Sequence, residues 1–198
     1  MIRHIVLVCS VVLLLAGAAQ AQSASDSKGE VFFGYALNRT NQGDALDDAG
    51  VSNDIGSLNL NGFNFQLGLD VGHTNTTNFI GIVGDIGGYF GTQRKFTPDD
   101  PQDLRMYTFT IGPQFTNRSH KVLQPFARAL AGISYIDGNY GGGISDDTGF
   151  ALILGGGLDI KVHPSVAIRM PQLDYIGMRH NSVSIHNFRF ATGLTVLF

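Results

Sequence analysis

Eight ionisable side chains fall on the polar phase of an alternating sequence: Asp70, Asp85, Arg128, Asp159, Lys161, Arg169, Asp174 and Arg189. Each has small or apolar residues on both sides, so a period-two backbone turns all eight to the same side of a sheet. Both signs are present. In a narrow enclosed space such groups must pair with one another or bond to polar neighbours such as Asn64, Gln66, Thr110 and Gln114. A hairpin around Arg179 to Ile185 brings Arg189 near Asp174, and one around His163-Pro164 brings Arg169 near Asp159. Two chemistries remain open for this set: an internal salt-bridge network that acts as a charge-compensated plug, and the lining of an ion path.

The elements that position these groups are strands. Phe63, Phe65, Leu67, Leu69 and Val71 alternate with Asn64, Gln66, Gly68 and Asp70; Tyr107, Phe109, Ile111, Pro113 and Phe115 alternate with Thr108, Thr110, Gly112 and Gln114. Eight such segments are expected, at roughly 30–38, 58–72, 78–90, 104–117, 122–137, 148–162, 165–178 and 186–198. Most exceed the ~5–6 residues usual in soluble sheets and reach the ~9–11 that cross a bilayer at a tilt. Connections alternate long and short: Arg39 to Ser57, His73 to Thr77, Gly91 to Asp103, Arg118 to Lys121, Gly138 to Asp147, His163-Pro164, and Arg179 to Ile185. Membrane barrels show that asymmetry together with an even strand count. In one irregular segment Val166, Ile168 and Met170 keep an even apolar phase while Leu173 and Tyr175 are odd, so a β-bulge is expected near Pro171-Gln172. Tyr35, Tyr89, Tyr107, Tyr135 and Tyr175 near one set of strand ends, and Phe79, Phe115, Phe126 and Phe198 near the other, suggest two interfacial aromatic girdles.

The N-terminus reads as an export signal: Arg3, an apolar run from Ile5 to Ala19 too short to span a membrane as a helix, and Ala19-Gln20-Ala21, with cleavage expected after Ala21. Residues 1–21 are then signal peptide and 22–198 one domain. Cys9 leaves with the signal, so no disulfide staples the mature chain. A net charge of -3 and 15% charged residues give no electrostatic footprint for nucleic acid.

The closing run His186-Asn187-Phe188-Arg189-Phe190-Ala191-Thr192-Gly193-Leu194-Thr195-Val196-Leu197-Phe198 ends in phenylalanine after apolar residues at every second position. Phe190, Leu194, Val196 and Phe198 resemble the C-terminal assembly signal of outer-membrane barrels. Together with Glu30-Val31-Phe32-Phe33-Gly34-Tyr35, Pro125-Phe126-Ala127 through Gly132, Gly155-Gly156-Gly157-Leu158-Asp159, Ala167-Ile168-Arg169 and Asp174-Tyr175, the chain resembles the OmpA-like outer-membrane β-barrel domain family over nearly all of its mature length. The resemblance implies an all-β, eight-stranded antiparallel up-and-down transmembrane β-barrel of the outer membrane, and the long-short order of the connections puts both termini on the periplasmic side if the N-terminus starts there. Implied partners are outer-membrane lipid, lipopolysaccharide, the barrel assembly machinery during biogenesis, and a surface ligand that the residues do not name. The implied role is a structural anchor, adhesin or surface receptor, without cofactor or metal, and not an enzyme. A narrow pore is the alternative. The chain ends at the barrel, so a cell-wall tether is not expected.

Other motifs carry less chemistry. His73, His120 and His163 fall in separate short turns. His180 and His186 flank Ser182 and Ser184 in the last long connection, where some outer-membrane barrels hydrolyse lipid A, yet no carboxylate is placed to orient a histidine. Asp47-Asp48, Asp99-Asp100 and Asp146-Asp147 lack the ligand spacing of a calcium loop. Asn38-Arg39-Thr40, Asn75-Thr76-Thr77 and Asn117-Arg118-Ser119 match glycosylation sequons that an envelope protein of this kind has no need to use. Gly141-Gly142-Gly143 and Gly155-Gly156-Gly157 lack the context of a phosphate loop.

Overall fold

A computed structural model describes residues 28–41, 58–93, 102–140, 143–180 and 183–198. The alternating segments form eight strands: β1 (Gly29–Asn41), β2 (Leu58–His73), β3 (Asn78–Gln93), β4 (Gln102–Asn117), β5 (Leu123–Tyr140), β6 (Gly143–His163), β7 (Val166–His180) and β8 (Val183–Leu197). Each pairs antiparallel with the next, and β8 returns to β1 to close a barrel. Closure leaves no strand edge, so backbone donors and acceptors in the wall are met without water.

The closing seam needs two glycines. Gly34 faces Gly193 across β1 and β8, and a β-carbon on Gly193 would stand 2.3 Å from the Phe33 carbonyl oxygen and 2.4 Å from Gly34 Cα. Phe198 finishes the seam: its carbonyl accepts from Lys28 N at 2.7 Å and Gly29 N at 2.9 Å, and its N–H donates to Gly29 O at 3.0 Å.

The apolar phase of the strands points outward. Phe33, Leu69, Ile111, Phe150, Leu173 and Phe188 each leave more than half their surface uncovered, whereas Asn64, Gln66, Arg169 and Arg189 on the other phase are buried. That is the reverse of a soluble sheet, and a hydrocarbon surrounding makes it favourable. The bulge falls where the phase breaks: register shifts between Arg169 and Gln172 against β8, and Met170-Pro171 is a cis peptide. Arg169 and Asp174 thereby both face the lumen.

Three expectations need correction. The connections expected at Gly138 to Asp147 and Arg179 to Ile185 are largely strand: Gly138 pairs with Ser145, Tyr140 with Gly143, and His180 with Val183. Turn-like composition there did not prevent pairing, because a hairpin extends wherever both arms keep register. Tyr89 and Phe126 do not belong to outer girdles; both are buried in the lumen. Each sits on the inward phase of its strand, and phase outweighs depth. Finally, the inner wall is not polar throughout. Leu60, Met106, Leu130, Ile153, Ile176 and Met178 form an apolar cluster inside the barrel.

The short turns are made by side chains that cap their own backbone. Asn75 Oδ1 accepts from Thr77 N at 3.0 Å and Asn78 N at 2.8 Å, and Asn117 Oδ1 accepts from Ser119 N at 3.0 Å. His120 Nδ1 accepts from Val122 N at 3.3 Å and Leu123 N at 3.2 Å, and His163 Nδ1 from Ser165 N at 3.3 Å. Two sequons and two histidines thus have structural roles.

Candidate functional site

The lumen is stacked in three layers. Nearest the short-turn end, Glu30 at the start of β1, Asp159 near the end of β6 and Arg169 near the start of β7 meet. Arg169 donates to Asp159 through Nε and Nη2, both at 2.7 Å, and through Nη2 to Glu30 at 3.0 Å. Its guanidinium lies between two aromatic rings, with Phe126 at 4.2 Å and Phe32 at 4.9 Å from the ring centroids. Such stacking is worth about 1–2 kcal/mol where water is excluded. Gln114 donates to Glu30 at 3.0 Å.

The middle layer holds two acids and two arginines. Arg189 on β8 reaches across the lumen to Asp85 on β3 with Nη1 at 3.0 Å and Nη2 at 3.1 Å, while its Nε donates to Asp174 at 2.8 Å. Arg128 on β5 grips Asp174 with Nε at 3.1 Å and Nη2 at 3.0 Å, and lies 3.3 Å from Asp85. Tyr89 accepts from Arg189 at 2.8 Å. All four charged side chains are fully buried. Space for Asp174 depends on Gly155, where a β-carbon would stand 2.2 Å from the carboxylate.

Amides join the two layers. Arg169 donates to Gln66 at 2.6 Å, Gln66 to Gln172 at 3.1 Å, and Gln172 to Asp174 at 2.9 Å. Asn64 donates to Asp85 at 3.0 Å and accepts from Gln172 at 3.2 Å. The result is one connected network across the lumen, with the geometry that makes buried ion pairs tolerable.

Above it, toward the long connections, lies the apolar layer. Thr40, Leu60, Leu104, Met106, Ile136, Met178 and Ile185 enclose a cavity of about 80 Å³.

Of the eight charged residues singled out in the sequence, Asp85, Arg128, Asp159, Arg169, Asp174 and Arg189 meet in this network. Asp70 instead pairs with Arg118 at 2.7 Å at the short-turn rim, where Arg118 also covers the Phe79 ring at 4.2 Å. Lys161 is half-buried and joins none of these ion pairs. Glu30, Tyr89, Gln172 and Arg118 were missed. Glu30 and Tyr89 were readable from phase, since each lies an even number of residues from an inward position on its strand. The partnership of Arg118 with Asp70 was not, because it joins a turn to another hairpin.

Phe190 and Leu194 face outward on β8, with Val196 and Phe198 half-buried below them. His186 hydrogen-bonds Tyr175 and stacks on its ring. Ser182 and the His180 side chain lie outside the described residues, as do Asp47-Asp48, Asp99-Asp100, and residues 1–21. Among the described residues no three His, Cys, Asp or Glu side chains converge as metal ligands.

The sequence profile of the outer membrane protein beta-barrel domain matches residues 9–194. The chain belongs to that family. Among solved structures, this outer-membrane barrel is similar to Neisserial surface protein A, at a TM-score of 0.64 and 16% identity over 86% of this chain and 97% of that one. It is also similar to Ail, the attachment invasion locus protein of Yersinia pestis, at 0.55 and 18% over 86% and 99%. Ail in complex with the heparin analogue sucrose octasulfate matches at 0.54 and 19% over 86% and 99%. No curated protein matches the sequence. At these identities the structural likenesses speak for the fold, and membership of the family places the barrel in the outer membrane. The lipid-facing apolar wall and the enclosed charges are then two consequences of one solvent.

Proposed function

We propose that this outer-membrane barrel is a sealed, non-enzymatic envelope protein that contributes to envelope integrity and presents its long connections at the cell surface. The observation that carries this reading is the filled lumen: a charge-paired layer with an apolar layer stacked above it. Ion conduction needs a continuous wet path with sites that an ion can leave. Arginines held by two carboxylates each, topped by methionine, leucine and isoleucine, oppose both requirements.

In this reading residues 1–21 are removed on export, both termini are periplasmic, and Phe190, Leu194, Val196 and Phe198 address the chain to the assembly machinery. The long connections 42–57 and 94–101 then face outward. Residues 42–57 contain Asp44, Asp47, Asp48 and Asp54 and no lysine, arginine or histidine. A polyanion of the heparin type, which the similar Ail structure holds, therefore finds no attraction in that connection, and a neutral or cationic surface partner suits it better.

Purified protein in a planar lipid bilayer tests the seal. The expected outcome is no sustained channel, and steady single-channel steps from wild-type protein would favour the narrow-pore reading.

A further inference from the structure

Above the charged layers the lumen carries three buried oxygen acceptors that the network does not use. Asn38, Thr40 and Asn187 sit on the inner face of β1 and β8, each at most 3% exposed. Thr40 stands in register with Asn187, and Asn38 is the next inward residue along β1. Both amides donate through their nitrogens: Asn38 Nδ2 to Met106 Sδ at 3.9 Å, and Asn187 Nδ2 to the Ile176 carbonyl at 3.4 Å. Asn38 Oδ1, Asn187 Oδ1 and Thr40 Oγ1 have no hydrogen-bond partner among the described residues. An unmet buried acceptor is costly, so three on neighbouring positions call for a donor.

Beside them lies the cavity of about 80 Å³, and Thr40 lines it. The rest of its wall is aliphatic or thioether, with Leu60 and Leu104 on one part and the two methionines, Met106 and Met178, on another. A polar edge on an apolar chamber lets a small ligand be both held and oriented. Volume limits the occupant: a cavity of ~150 Å³ takes a benzene ring, so one about half that size takes a body of about three carbons. Charge limits it too. Asn38 is in register with Arg189, and the layer there sets Asp85 and Asp174 against Arg128 and Arg189, leaving no net charge to attract an ion. An ammonium would meet neutral oxygens and no counter-ion. Water would satisfy the oxygens but not the apolar wall, and an alkane would do the reverse.

We infer that the end of the lumen nearest the long connections binds a small neutral aliphatic molecule bearing a hydroxyl donor. Its O–H meets the edge formed by Thr40, Asn38 and Asn187, and its carbon chain lies against Met106 and Met178. The site sits above the charge-paired layers and stands whether or not the barrel conducts.

The methionines supply the reporters for a test. Met106 and Met178 line the cavity, whereas Met170 is 49% exposed on the lipid face and reports the detergent alone. Full-length protein exported and purified from outer membranes, labelled with ¹³C at the methionine methyls, is titrated with 1-propanol, propane and n-propylammonium in separate NMR series. Propanol should shift the Met106 and Met178 methyls saturably, about fivefold to tenfold more tightly than propane, with no saturable shift from the ammonium. Thr40→Val should bring propanol down to the level of propane. Thr195→Val, which removes another buried unpartnered hydroxyl on the inner face, should leave the preference intact. Heat-modifiable gel mobility shows that each variant is a closed barrel. Equal binding of propanol and propane, or equal effects of the two valine variants, would overturn the inference. So would shifts that rise without saturation and match those of Met170, since they report partition into detergent only.

Discussion

The two charged layers of the lumen solve one problem in different ways. In the middle layer Asp85 and Asp174 face Arg128 and Arg189, two charges of each sign, each acid touched by both bases. In the layer near the short turns Glu30 and Asp159 share the single Arg169, and aromatic rings flank the guanidinium in place of a second base. The first is a lattice in which removing one member leaves each opposite charge with one partner instead of two and the layer with one charge in excess. The second is a hub, in which everything depends on the arginine and little on either acid alone. Charge balance and redundancy are therefore separate properties of a buried network.

The sharpest way to break this contrast is Arg189→Ala. It strips Asp85 of its bidentate partner and Asp174 of one donor, so unfolding in urea from lipid vesicles should show a loss of about 3–5 kcal/mol. The same variant should admit ions, and bilayer recordings should show conductance absent from wild type. Glu30→Gln should cost less, about 1.5–3 kcal/mol in the same assay, because Arg169 keeps both bonds to Asp159. If Glu30→Gln proved as damaging as Arg189→Ala, the hub description would fail. Phe126→Leu keeps an apolar side chain and removes the closer ring from Arg169, with an expected loss of about 1–2 kcal/mol. Tyr89→Phe deletes one bond to Arg189 in the middle layer and should cost about 1 kcal/mol. Smallest of all, Asp70→Asn at the partly exposed rim should shift stability by at most about 1 kcal/mol, and raised salt should erase the difference.

Particular residues show how far the sequence could be read. The pairs Asp174 with Arg189 and Asp159 with Arg169 join neighbouring strands, so counting residues from each hairpin was enough to bring them into register. The bulge at Pro171-Gln172 was likewise legible, because a strand can change phase midway only by accommodating an extra residue. Tyr89 and Phe126 misled through their chemical type. An aromatic near a strand end suggests an interfacial girdle, yet a single step of phase decides whether it meets lipid or lumen. The apolar layer inside the barrel had the same signature: Leu60, Met106 and Ile176 keep the phase of Asn64, Thr108 and Asp174, and only the expectation of a polar interior hid them.

Alternation of side chains was enough to specify strands, their number and their two faces, since a strand has only two sides and its period is set by the backbone; the surrounding lipid was read from strand length and the long-short order of the connections. Pairing between adjacent hairpins followed from the same local rule. The bonds from Arg189 to Asp85, from Arg128 to Asp174 and from Arg169 to Glu30 were decided only when the barrel closed. Closure bends a flat sheet until strands far apart in the chain face one another across a narrow lumen, and sequence spacing alone does not contain that curvature.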